Sequence, residues 1–131
     1  MTHYNRGKNV TPLYMIVQGT VGTGKSYLIG TINKYLNQLA LPHHCPLFLL
    51  ASIGVAAYNI GGSTIHSKLK IPVNDFSQLE VTRLTNFQEE VSHVRYILID
   101  EKSFIGEKLL ENIDSWLCQA FPQNVDVNFV G

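Results

Sequence analysis

The chain has 131 residues, with ten basic and ten acidic side chains, so the formal charge is zero and no global basic excess marks it for nucleic acid. Its hydrophobic fraction of 45% and charged fraction of 15% exclude a disordered chain and suit a single domain with one core. No apolar run approaches the ~20 residues of a membrane span, and the polar start MTHYNRGKNVTP lacks the apolar region of a secretory signal.

Residues Leu13–Gln18 (LYMIVQ) form an apolar, β-favouring run that predicts a first strand. Gly19–Ser26 follows it as Gly-Thr-Val-Gly-Thr-Gly-Lys-Ser, the complete G-x-x-x-x-G-K-[ST] phosphate loop. Leu28, Ile32, Tyr35, Leu36 and Leu39 then recur at helical spacing, so the loop is expected between a strand's carboxyl end and a helix's amino end. In that setting Gly19, Thr20, Val21, Gly22, Thr23 and Gly24 turn their backbone N–H groups into one concavity, and the helix adds roughly half a positive charge. Lys25 is expected to reach the β- and γ-phosphates and the Ser26 hydroxyl to hold Mg²⁺. The alternative, a glycine-rich turn ending in Lys-Ser by chance, explains neither the strand nor the helix.

Leu41-Pro42 ends this helix. His43-His44-Cys45 lies between Pro42 and Pro46, where three adjacent residues cannot all face one ion. Cys45 and Cys118 form no C-x-x-C pair and are read as reduced thiols. Leu47–Ala51 (LFLLA) predicts a strand buried on both faces, and Val55–Ile60 a short helix stopped by Gly61-Gly62. Ser63–Lys70 mixes polar and apolar residues up to Pro72. Leu84, Phe87, Val91 and Val94 predict a helix in the second half of Asp75–Val94.

Tyr96–Ile99 (YILI) predicts a buried strand running into Asp100-Glu101. Leu109, Ile113, Trp116, Leu117 and Ala120 mark an amphipathic helix ending near Pro122, and Val125–Val130 alternates like a last strand. Strands alternating with helices give an α/β class with a parallel sheet and flanking helices, the phosphate-loop NTPase architecture. Ligands on such sheets bind at the strands' carboxyl ends. There Asp100 is expected to hold Mg²⁺ opposite Ser26, and Glu101 to orient or deprotonate the attacking water. The competing structural role is a helix cap, where negative charge is also favourable.

Three stretches now stand in order: GTVGTGKS at Gly19–Ser26, ASIGVAAYNIGGSTIHSKLKIP at Ala51–Pro72, and ILIDEKSFIG at Ile97–Gly106. Together they resemble the first RecA-like domain of the Pif-type DNA helicases, the superfamily-one branch related to RecD, across Leu13–Gly131. The middle stretch, Gly-x-Ala-Ala followed by Asn-Ile-x-Gly-x-Thr-x-His-Ser, is the specific part. The resemblance implies a partial N-terminal RecA-like ATPase domain over residues 1–131. It implies ATP hydrolysis coupled to movement on single-stranded DNA, in DNA repair, recombination or telomere maintenance, inside a nucleus or mitochondrion. Lys25 and Glu101 carry over as catalytic, Asp100 and Ser26 as Mg²⁺ ligands, and the segments holding Gly54, Thr64, His66 and Ser67 as the DNA path.

The chain departs from the family at Ile53, where a hydroxyl residue is usual, and at Lys102, where an apolar residue is usual. Too little chain precedes Tyr14 for the family's adenine-recognising glutamine segment. The second RecA-like domain and its arginine are missing from the match. The expectation is therefore a fragment or degenerate copy that binds ATP without unwinding DNA alone. A nucleotide-binding module without turnover is the first competing function. A small-molecule kinase is the second, disfavoured because Arg6, Arg83 and Arg95 form no cluster.

Overall fold

The structure is a computed structural model that describes residues 13, 15–40, 46–71 and 81–122. Its elements are α1 (Lys25–Leu39), β1 (Leu47–Ala51), α2 (Gly54–Asn59), β2 (Ser63–Thr64), α3 (Ile65–Leu69), α4 (Val81–Val91), β3 (Tyr96–Asp100), a 3₁₀ turn (Lys102–Phe104) and α5 (Glu107–Ala120). The strands form a three-stranded parallel sheet in the order β2-β1-β3. This is the expected α/β class.

The sequence of β1 explains its place at the centre. All five residues of LFLLA are buried, as a strand covered on both faces requires. Leu47 and Leu49 point to one face, where they meet Ile29, Ile32 and Leu36 of α1 together with Leu98 and Ile60. Phe48 and Leu50 point to the other, into a larger core with Ile65, Leu69, Phe87, Val91, Ile113 and Trp116 from α3, α4 and α5. Fully burying an aliphatic or phenyl side chain of this size contributes about 1.5–3 kcal/mol. The sheet is thus sandwiched between α1 on one face and α3, α4 and α5 on the other.

Several sequence expectations need correction. Leu13–Gln18 is not a strand: the described residues of that run have no regular structure, and Leu13, Met15, Ile16 and Val17 are exposed. A β-favouring composition forms a strand only beside a partner, and none of the described strands pairs with it. The buried face of α1 is rotated from the predicted one. Ile29, Ile32 and Leu36 face the sheet, while Leu28, Tyr35 and Leu39 are exposed. β3 is half-buried rather than buried, with Tyr96 exposed. Ser63–Lys70, read as a mixed segment, forms β2 and α3. The predicted strand at Val125–Val130, the His43–Cys45 segment and Cys45 lie outside the described residues. Cys118 is a free thiol, raised above its ordinary pKa by burial and by the nearby Asp114 carboxylate.

Candidate functional site

The phosphate loop is held open by its own side chains. Gly22 and Gly24 sit at φ 82° and 85°, in the left-handed region that glycine enters without penalty. Gly19 is needed for room: a Cβ there would lie 2.5 Å from Thr23 Oγ1. The Thr23 hydroxyl donates to Thr20 O at 2.8 Å, closing the turn from within. Lys25 Nζ donates to Gly19 O and Thr20 O, each at 2.7 Å. The ammonium thereby occupies the carbonyls of the loop's first residues with two of its three N–H groups.

α1 begins at Lys25 with Gly24 as its cap; no side chain caps it and no acidic residue lies in its first turn. Its first N–H groups and the positive end of its dipole are left for a ligand. Val21 is fully exposed at the loop's tip, and Ser26 is exposed beside Lys25.

The acidic pair is placed by strand register. Ala51 pairs with Asp100 on one side and with Thr64 on the other. The carboxyl ends of β2, β1 and β3 therefore form one row: Thr64, Ala51, Asp100. Asp100 is half-buried and Glu101 exposed. Glu101 adopts a left-handed conformation, φ 56°, which is costly for a residue with a Cβ. Its carbonyl accepts a 3.4 Å hydrogen bond from Ser52 Oγ, tying the loop after β1 to the loop after β3. Sequence reasoning missed this link, and residue type alone gives no signal for it.

The helix-cap alternative for the acidic pair is not realised. Glu101 makes no side-chain cap to the 3₁₀ turn, and α5 is capped by Gly106. Lys102 is exposed and makes no ion pair with Glu101 among the described residues. No hydrogen bond or ion pair joins Lys25 or Ser26 to Asp100 or Glu101 among the described residues.

On the other flank, α2 packs by Ala56 and Ala57 against Ala51, and Gly61-Gly62 returns the chain into β2. Gly61 is left-handed at φ 65°, and Gly62 N donates to Ala57 O at 2.9 Å. Thr64 is the N-cap of α3, its Oγ1 accepting from Ser67 N at 3.3 Å. A threonine at the N-cap is itself the sequence signal for this cap. His66 is half-buried, and Gly54 and Ser67 are exposed. Lys68 and Lys70 both pair with Glu90, at 3.6 and 2.8 Å, fastening α3 to α4.

Comparison with known proteins now decides the family. The family model of the PIF1-like helicase matches residues 3–131. The chain belongs to the PIF1-like helicase family. It is 34% identical over 110 residues to an ATP-dependent DNA helicase PIF4 of Trypanosoma brucei brucei, covering 76% of this chain and 12% of that protein. It is 31% identical over 109 residues to an ATP-dependent DNA helicase Pif1 of Campylobacter jejuni, covering 76% of this chain and 23% of that protein. It is 29% identical over 100 residues to the ATP-dependent DNA helicase RRM3 of Saccharomyces cerevisiae, covering 73% and 14%. The PIF1-like match thus spans between about a tenth and a quarter of these relatives' lengths. The Pif-type resemblance of the three sequence stretches and the truncated RecA-like architecture both agree with it.

Proposed function

We propose that this PIF1-like chain binds ATP with Mg²⁺ at Gly19–Ser26 and single-stranded DNA along the edge formed by α2, β2 and α3. It does so as the nucleotide-binding part of a DNA helicase motor. The observation that supports this most is the loop itself. Two glycines at positive φ, a lysine clamped on the loop's own carbonyls and an uncapped 15-residue helix form an anion cradle ready for a polyphosphate.

In this role Lys25 reaches the β- and γ-phosphates. The Ser26 hydroxyl and the Asp100 carboxylate are hard oxygen donors, the type Mg²⁺ selects while keeping several waters. They would hold the ion, whose charge would offset that developing on the phosphates. Glu101 is exposed, unpaired and not used as a cap, so its carboxylate is available to orient a water. Gly54, His66 and the hydroxyls of Thr64 and Ser67 line the edge beyond Ala51, where phosphate oxygens of a strand would lie. The Thr64 hydroxyl accepts from Ser67 N and still has its own hydrogen to donate.

No described helix is long and apolar enough to cross a membrane. The DNA-helicase relatives support an intracellular, nucleic-acid-associated place of work; a nucleus or mitochondrion and a second RecA-like domain beside the motor are part of this proposal alone. An ATPase assay with and without single-stranded DNA tests the proposal. DNA-stimulated hydrolysis that Lys25→Ala abolishes would support a motor. Binding without turnover would assign a nucleotide-binding module, and phosphate transfer to a small acceptor a kinase.

A further inference from the structure

α2 is built inside out. In Gly54–Asn59 the alanines face inward, Ala56 and Ala57 being 7% and 4% exposed, whereas Val55 and Tyr58 are 72% and 86% exposed. An amphipathic helix ordinarily hides its large apolar side chains and shows its small ones. Val55 and Tyr58 are three residues apart and share one outward face. Ile53, just before the helix, is exposed as well. The ring is held on a fixed support. Ala56 and Ala57 pin the helix to Ala51, and Tyr58 O accepts from Gly61 N at 3.1 Å as the chain turns into β2.

We propose that Tyr58, flanked by Val55, is a stacking platform for a base of single-stranded DNA. This rests on the DNA-binding reading above and adds a residue and a contact type to it. The size of the patch favours a base over a protein. Three side chains fall well short of the about 800 Å² per partner that a stable protein interface buries, while one aromatic ring is matched by one base. Charge agrees. From Ala51 to Ile71 the sequence has no Asp or Glu but does have Lys68 and Lys70. Glu90, held by both lysines, is the acidic group that faces them. α2 starts at Gly54, three residues after Ala51, whose register row with Thr64 and Asp100 marks the strands' carboxyl ends. Stacking reads no sequence, because every base has a π-face, so Tyr58 would hold a passing strand without base preference.

The test is fluorescence anisotropy of the full chain with a labelled oligo-dT of about 16 nucleotides and with an abasic oligonucleotide of equal length. Tyr58→Ala should weaken oligo-dT binding about tenfold or more, and Tyr58→Phe should leave it unchanged. On the abasic strand, wild type and Tyr58→Ala should bind alike. Tyr58 is exposed, so the variants should melt with the wild type by circular dichroism. Equal binding of oligo-dT by Tyr58→Ala and wild type overturns the stacking role alone, as does an equal loss on both strands. A wild-type chain that binds neither strand overturns the DNA-binding reading and the stacking role with it.

Discussion

Gly62→Ala should destabilise the protein more than any other glycine-to-alanine change in the described residues. A Cβ at Gly62 would fall inside van der Waals contact with Leu49 O and only 2.9 Å from Leu49 C and Cβ. Those atoms belong to the buried central strand, so neither side can yield without moving β1 or the entry into β2. Overpacking of this kind costs about 1–3 kcal/mol, and the backbone obstacle puts Gly62 at the upper end. For a domain of this size each kcal/mol lowers Tm by roughly 4 °C, so a fall of about 8–12 °C is expected. Gly61→Ala is the internal comparison. It meets no atom within 4 Å but sits at φ 65°, which costs about 1–2 kcal/mol for a residue with a Cβ. Gly54→Ala meets neither obstacle and should be neutral or gain a few tenths of a kcal/mol, about what lost unfolded-state freedom gives. Thermal melts followed by circular dichroism rank the three. A Gly62→Ala chain melting within about 2 °C of wild type, or above Gly61→Ala, would refute the close approach of the turn to β1.

Glu90 makes a second, pH-dependent prediction. The Lys70 ammonium foremost, with Lys68 behind it, holds the Glu90 carboxyl below its ordinary value against a smaller opposing effect of burial. A depressed folded-state pKa stabilises above the unfolded value, and that contribution disappears as pH falls through the folded one. The acid-side loss of stability should therefore be shallower in Glu90→Gln. The groups are partly exposed, so the difference should stay below about 1 kcal/mol and shrink with salt; chemical denaturation at neutral and acid pH measures it. Thr64→Val removes the cap of α3 while keeping the side chain's shape, and should cost about 1 kcal/mol in the same denaturation assay. Ser52→Ala cuts the tie to Glu101 O at 3.4 Å. If the chain works as the proposed motor part, the substitution should lower DNA-stimulated ATP hydrolysis while leaving ATP affinity within about twofold, because Ser52 bonds the Glu101 backbone.

Much of this arrangement was legible in the residues, for reasons that differ from place to place. The tight turn within Gly19–Ser26 was readable because its glycines answer a backbone need: Gly22 and Gly24 stand where φ is positive. β1 was readable because a strand covered on both faces leaves an uninterrupted apolar run, and LFLLA is one. The inward face of α4 was readable from Phe87 and Val91, both buried as their spacing requires, whereas Val94, counted with them in the sequence, is buried but lies past the helix's end at Val91. Leu13–Gln18 misled because a β-favouring run describes a preference, and pairing decides whether it is met. α1 misled by rotation. Ile32 and Leu36 of the predicted face do meet the sheet, but with Ile29 beside them rather than Leu28, Tyr35 and Leu39. The left-handed Glu101, the Ser52 tie and the Lys68–Glu90–Lys70 staple depend on segments remote in sequence, and no local pattern carries them. α2 was found as a helix, yet its inverted faces became visible only once Ala56 and Ala57 were seen against Ala51.

The most direct test of a triphosphate cradle at Gly19–Ser26 is a titration of wild type and Lys25→Ala with fluorescent ATP in Mg²⁺, with AMP as competitor. Lys25 spends two N–H groups on Gly19 O and Thr20 O and has one left for the outer phosphates. Lys25→Ala should weaken ATP by at least about tenfold, the scale of a lost charge-assisted contact, and AMP by far less. Equal weakening of ATP and AMP, or ATP affinity untouched by the substitution, would contradict the assignment of this loop as the phosphate site.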